Sequence, residues 1–264
     1  MIKFCSLFSG SSGNCIFIGT DKAKILIDAG VSGSRITAAL KEIGEDPEDL
    51  SAIFVTHEHS DHIAGVGIVS RKYNLPIYAT PKTWKAMGNA PGKLPPENII
   101  KMEAGSIVTV GDLQAQSYSI SHDAADPVAY TFTCGGRKVS VATDMGIITE
   151  TVRENVTGSD LVLLESNHDI DMLKNGPYPY PLKKRILGDK GHLSNVSAAD
   201  FLTELALAGT TEFFLGHLSE ENNTPERAYS TSNSMLLERD LKDGRDLELK
   251  VASRYTYSET VILK

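Results

Sequence analysis

A chain of 264 residues with 41% hydrophobic and 23% charged side chains has the composition of a folded globule with a full core, which excludes disordered, collagen-like and coiled-coil classes. Lys and Arg number 26 against 34 Asp and Glu, a formal charge of −8 that argues against wide, nonspecific coating of a polyanion. No apolar run approaches the ~20 residues that span a bilayer, and three cysteines without CxxC spacing (Cys5, Cys15, Cys134) read as small core hydrophobes in a reducing, cytoplasmic setting.

In chain order, alternating apolar patterns and Gly, Asp and Pro joins predict strands over 2–8, 15–19 and 23–30, then an amphipathic helix over 32–44. A buried strand over 51–56 runs into a histidine cluster, followed by a helix over 63–74, a strand over 76–80 and a short helix from Pro81. Residues 99–144 read almost entirely as strands, forming a second, antiparallel sheet region. A helix over 149–156 and a strand over 160–166 precede an exposed Pro/Gly-rich loop, 175–191. A helix over 195–209, a strand over 212–219, a helix from Thr224 and two closing strands complete the chain. The order suits two packed sheets flanked by helices, built as one domain spanning 1–264.

The most informative segment is Thr56-His57-Glu58-His59-Ser60-Asp61-His62, at the junction of a buried strand and a helix. An extended backbone puts residues i and i+2 on one face, so His57 and His59 can grip one ion. The turn into the helix aims Asp61 and His62 at a neighbouring position, and the spacing points to two metals. A solvated loop in which Ser60 or Asp61 merely caps a helix is the plainer alternative. Two ions need more ligands than these four. His122, Asp144 and His217 each end a predicted strand: His122 suits the first ion, Asp144 a bridging place, and His217 the second ion.

HxHxDH, preceded by Asp28 and followed by His122, Asp144 and His217, resembles the metallo-β-lactamase-fold hydrolase superfamily across nearly the whole chain. Within it, LFSGSSGNC, ESNHD and KGHLSN resemble the YycJ/WalJ-type bacterial group, associated with 5′→3′ exonuclease activity on DNA. The resemblance implies an α/β fold, a four-layer αββα sandwich with a dinuclear site. It assigns His57, His59, His122 and Asp144 to one ion and Asp61, His62, Asp144 and His217 to the other, with Asp28 orienting a ligand histidine. His at position 59, where flavodiiron oxidoreductases carry Glu, points to hydrolysis. His192 and His217 lie 25 residues apart, like the paired histidines of ribonuclease Z and phosphodiesterase branches, which makes His192 a candidate proton donor.

The implied reaction is phosphodiester hydrolysis by a metal-bridging hydroxide that Asp61 orients, with Zn²⁺ or Mn²⁺, and equally Fe²⁺, suited to the ligands. The expected substrate is nucleic acid, as DNA ends, with a place in DNA repair. The alternatives are a hydrolase of a small ester, thioester or cyclic phosphodiester, and a non-catalytic metal-binding sensor or scaffold. Ser11, Asn14 and His168, with the basic run Lys183, Lys184 and Arg185, are candidate substrate contacts. Two divalent ions would offset four of the eight excess negative charges, so the acidic balance does not bar a strand end from such a site.

Overall fold

The first strands, β1 (Ile2–Phe8), β2 (Cys15–Gly19) and β3 (Lys24–Ile27), are buried almost throughout, so both of their faces are covered. Short turns join them and impose antiparallel pairing, with Phe4 opposite Ile18 and Phe17 opposite Leu26. These features come from a computed structural model that describes residues 1–264.

After β3 the connections contain helices, and the pairing turns parallel. Helix α1 (Gly33–Glu42) leads to β4 (Ala52–Phe54); α2 (Ser60–Ile63) and α3 (Val66–Tyr73) lead to β5 (Ile77–Ala79); α4 (Pro81–Met87) leads to β6 (Ile99–Lys101). With β14 (Val261–Leu263) antiparallel to β1, the sheet order is β14-β1-β2-β3-β4-β5-β6. Ile36, Leu40, Val66 and Val69 of α1 and α3 join Leu7, Phe17, Leu26 and Ile53 in its core, where Cys5 and Cys15 are fully buried.

An antiparallel meander, β7 (Ile107–Val110), β8 (Leu113–Ser119) and β9 (Val128–Cys134), belongs to the same compact unit, formed by Met1–Ser119, Ala124–Arg137 and Ser253–Lys264. Val128 N donates to Thr56 O (3.1 Å) and the Tyr130 hydroxyl to Val55 O (2.9 Å), while both Tyr130 and Phe132 meet Phe54 edge-on. These contacts fix the strand end from which His57 departs.

Ile120–Asp123 and Lys138–Ala252 form a second compact unit. Its strands β10 (Arg137–Ala142), β11 (Leu161–Glu165), β12 (Glu212–Gly216) and β13 (Glu248–Val251) run parallel. Helix α5 (Glu150–Val156) crosses from β10 to β11, three helices, α6 (Ile170–Asn175), α7 (Tyr180–Ile186) and α8 (Asn195–Leu207), lie between β11 and β12, and α9 (Pro225–Leu237) leads to β13. Thr149, Ser194 and Thr224 cap α5, α8 and α9 through their side chains. No helix is long and apolar enough to cross a membrane.

The fold class is α/β, as the sequence predicts, and two local expectations change. Residues 99–144 are not one antiparallel region: β6 pairs in parallel with β5, and β10 with β11. Alternation identifies a strand but not its direction, which here follows from the helix in each connection. The expected loop 175–191 contains α7, whose Pro181 stands in the first turn, where a missing N–H breaks no helical bond.

Candidate metal centre and active site

Three of the five non-glycine residues with positive φ are candidate site residues just beyond strand ends: Asp28 (φ 59°), Asp144 (φ 59°) and His217 (φ 53°). A left-handed backbone costs an ordinary residue about 1–2 kcal/mol, so surrounding contacts must hold these conformations.

In the first unit, Asp28 follows β3 and is 3% exposed. Its carboxylate accepts from Thr56 N (2.9 Å), Thr56 Oγ1 (2.9 Å) and His62 Nδ1 (2.7 Å). Because the Thr56 hydroxyl proton goes to Asp28, its oxygen accepts from His57 Nδ1 (3.0 Å). Both imidazoles therefore turn Nε2 outward. His57 Nε2 lies 3.0 Å from His59 Nδ1, and His62 Nε2 lies 3.5 Å from Asp61 Oδ2. Two nitrogens bound tetrahedrally at about 2.1 Å from one ion lie about 3.4 Å apart, so the His57–His59 pair fits a shared cation.

Asn14 ties the motif from the opposite side. Its N donates to Asp61 O (2.8 Å), and its side-chain amide reaches His62 Nε2 (3.1 Å) and Asp61 Oδ2 (3.5 Å). Gly30 N donates to Asn14 O (2.8 Å), and a Cβ at Gly30 would stand 1.6 Å from Asp61 O. That neighbour is backbone and cannot rotate away. Gly30→Ala is therefore expected to destabilise the protein by about 3 kcal/mol or more, read as a fall in the urea midpoint; an unchanged midpoint would contradict this packing.

The second unit gathers His122, Asp144, His192 and His217 around Glu165, a residue the sequence reading left without a role. Glu165 is fully buried at the end of β11. Its Oε1 accepts from His192 Nδ1 (2.7 Å) and His217 Nδ1 (3.0 Å), and its Oε2 from Met145 N (2.8 Å) and Leu193 N (3.2 Å). Asp144, Glu165, His192 and His217 present ligand atoms within 4.8 Å of one another. Both oxygens of Glu165 are committed to N–H donors, so it serves to orient rather than to ligate. The signal in the sequence was a carboxylate closing the apolar run LVLLE.

His217, with Nδ1 on Glu165, aims Nε2 toward Asp144 Oδ1 (3.3 Å). His122 places Nδ1 on Gly191 O (3.2 Å), leaving Nε2 as its ligand atom. Burial holds the His122 pKa below its ordinary value despite the nearby Asp144 carboxylate, which favours the neutral, ligating form. Burial also opposes charge on His192, but the charge and hydrogen bond of Glu165 outweigh it and raise the pKa. The charge of His192 and the hydrogen bonds from His192 and His217 in turn hold Glu165 below the usual carboxylate range, against its burial. The His192 side chain is 20% exposed, whereas those of His122 and His217 are 1% and 2%. Of the three it is the one open to a reactant.

Ser11 is exposed and accepts from Arg254 Nη1 (3.1 Å). Lys183 Nζ is bound to Lys174 O (2.8 Å) and Gly176 O (2.7 Å), Arg185 pairs with Asp123, and Lys184 is exposed. His168 is 1% exposed, neither ring nitrogen has a hydrogen-bond partner, and burial pushes its pKa down to about 4. Imidazole nitrogens and carboxylate oxygens, several with their other ring nitrogen anchored, form a donor set suited to divalent transition metals.

The family model described as the metallo-beta-lactamase superfamily matches residues 9–180. The chain belongs to that superfamily and is a metal-dependent hydrolase. Within it, the chain is of the YycJ/WalJ type. It is 40% identical over 248 residues to "Exodeoxyribonuclease YycJ" of Bacillus anthracis, covering 94% of each chain. It is 43% identical over 249 residues to "Exodeoxyribonuclease WalJ" of Streptococcus pneumoniae, covering 94% of this chain and 93% of that one. Among solved structures, the metallo-beta-lactamase fold protein YhfI from Bacillus subtilis matches with a TM-score of 0.72 at 17% identity, covering 98% of this chain and 100% of that one. PqqB from Methylobacterium extorquens matches with a TM-score of 0.67 at 14% identity, covering 98% of this chain and 100% of that one. These likenesses show the shared fold.

Proposed function

We infer that this chain is a 5′→3′ exodeoxyribonuclease with two divalent ions, acting in the cytoplasm as one hydrolase domain over residues 1–264. The observation that carries the reading is identity of 40% and 43%, over 94% of the chain, to relatives named as exodeoxyribonucleases. In this reading His57, His59, His122 and Asp144 would hold one ion, and Asp61, His62, Asp144 and His217 would hold the other. Zn²⁺, Mn²⁺ or Fe²⁺ would supply Lewis acidity and an activated water when bound.

The chain's own groups do the rest. Asp28 and Glu165 hold the Nδ1–H of His62 and His217, which keeps each Nε2 lone pair available as a ligand. Asp61, 23% exposed, presents a carboxylate oxygen that orients the attacking water. As the water, its proton released to solvent, bonds through oxygen to phosphorus and the P–O3′ bond breaks, the departing oxygen takes the Nε2 proton of His192, whose Nδ1–H stays on Glu165. Trimming of DNA ends during repair is the process this activity suits.

The test uses metal-loaded protein with end-labelled DNA and RNA, single- and double-stranded, and with bis-p-nitrophenyl phosphate. Stepwise release of mononucleotides from a DNA 5′ end is expected, with complete loss on chelation. His192→Ala should retain its metal and lose about 10²–10⁴ in kcat. Cleavage of the small diester alone would overturn the exonuclease reading, and an unchanged His192→Ala would overturn the proton donor.

A further inference from the structure

One surface of the second unit takes no part in the chemistry above. Helix α7 leads through Leu187-Gly188-Asp189-Lys190-Gly191 to His192, and this stretch is fastened to the segments that carry His122 and Asp144. His122 Nδ1 meets Gly191 O (3.2 Å), the Ser121 hydroxyl donates to Asp189 O (2.7 Å), and Gly146 N donates to Ser121 O (3.0 Å). A Cβ at Gly146 would stand 2.4 Å from Gly188 O and Asp189 O, so the two backbones are in contact. His192 N in turn donates to Ile186 O (3.0 Å), at the end of the helix. Two cations of the basic run are engaged in holding α7. Lys183 donates to Lys174 O and Gly176 O at the end of α6, and Arg185 pairs with Asp123, next to His122.

The face of α7 left open by these contacts has a different composition. Tyr180, Lys184 and Leu187 follow one another at spacings of four and three, which puts them on one side of the helix, and all three are exposed, Tyr180 at 77%. Pro179 and Pro181 flank Tyr180 and stiffen the segment that presents it. Ile147 and Leu187, each one residue from the Gly146–Gly188 contact, add exposed apolar surface. Positive charge gathers here as well: residues 174–190 carry five cations (Lys174, Lys183, Lys184, Arg185, Lys190) and one carboxylate, Asp189, in a chain of net charge −8. An exposed ring and an ammonium group one helical turn apart match a nucleic-acid strand, whose base stacks on the ring while a neighbouring phosphate meets the cation. A duplex offers its phosphates but keeps its bases stacked inside, so only an unpaired strand satisfies both groups.

We propose that Tyr180 and Lys184, with the apolar surface of Leu187 and Ile147, form a seat for an unpaired DNA strand on its way to His192. The proposal rests on the exonuclease reading and specifies its substrate as a single strand, or a duplex end whose terminal bases have opened. Tyr180 takes a base and Lys184 a backbone phosphate, while Lys183 and Arg185 hold the helix and so fix the strand's position relative to His192.

The experiment reads fluorescence anisotropy in chelator, where no turnover occurs, with three DNA probes of one length: a single strand, an abasic strand with the same phosphates, and a blunt duplex. The unsubstituted protein is expected to bind the base-bearing strand roughly ten- to a hundredfold more tightly than the abasic strand, the range for one stacked base, and more tightly than the duplex. Tyr180→Ala should bring the base-bearing to abasic ratio close to one, and Tyr180→Phe, which keeps the ring, should retain it. Lys184→Gln should keep the ratio but make the slope of log affinity against log salt concentration shallower by about 0.7, the loss of one phosphate contact on a single strand. A folding defect weakens binding of all three probes alike and leaves the ratio intact. Equal binding of the base-bearing and abasic strands by the unsubstituted protein, tighter binding of the duplex, an unchanged ratio in Tyr180→Ala, or an unchanged salt slope in Lys184→Gln would overturn the proposal. Cleavage of the same strand with metal restored tests the reading beneath it: the expected binding ratios without cleavage would overturn the exonuclease reading alone.

Discussion

Glu165→Gln is expected to lower kcat on DNA by about 10²–10⁴, more than most substitutions outside the metal ligands themselves. The reason is a conflict of donors. Oε1 faces two imidazole N–H groups and Oε2 faces two backbone N–H groups, and Glu165 itself has no solvent exposure. Glutamine has the same shape but only one acceptor oxygen, so in either orientation its NH₂ meets two donors. Unmatched buried donors cost about 1–3 kcal/mol each, and His192 also loses the charge that raises its pKa. Kinetics, metal content and thermal midpoint separate the effects: turnover should fall furthest, metal content should fall less, and Glu165→Asp should recover part of the rate. A Glu165→Gln protein with the original kcat and a full metal complement would show that the carboxylate orients neither histidine.

The second large effect concerns the first unit. Asp28→Ala is expected to destabilise the protein by about 3–5 kcal/mol, because Thr56 N, Thr56 Oγ1 and His62 Nδ1 lose one acceptor together. Alanine also bears the left-handed backbone at φ 59° less well than Asp. Asp28→Asn separates the two roles. Asparagine tolerates the backbone and keeps an acceptor for Thr56 N, but its amide confronts His62 Nδ1–H, so metal affinity should fall about 10- to 100-fold with a smaller loss of stability. Denaturation midpoints and competition titrations with Zn²⁺ measure the two quantities. If Asp28→Asn binds metal as tightly as the unsubstituted protein, the carboxylate does not set the His62 tautomer.

Much of this was legible in the sequence because the informative residues stand where an apolar run stops. AIFVT runs into His57, VSVAT into Asp144 and FFLG into His217, and each run is a buried strand or strand end in the structure. What the sequence concealed are partnerships across long separations. Glu165 closes a run in the same way, but its partners His192 and His217 lie 27 and 52 residues further on, and no local pattern connects them. Asn14 reads in the sequence as a candidate substrate contact, and nothing local shows that it braces side chains 47 and 48 residues away. The direction of β6 was hidden for a related reason: pairing is set by the path of the connection, not by the strand's own residues.

The left-handed conformations at Asp28, Asp144 and His217 have a consequence for tolerance to change. The substitutions that fit such a backbone most easily are Gly and Asn, and neither supplies an imidazole or a carboxylate. At these three positions the variants that fold best are therefore expected to lose metal affinity or turnover, so that abundance and activity separate under mutation. Variation that keeps both the fold and the activity is expected to be confined there to very few side chains.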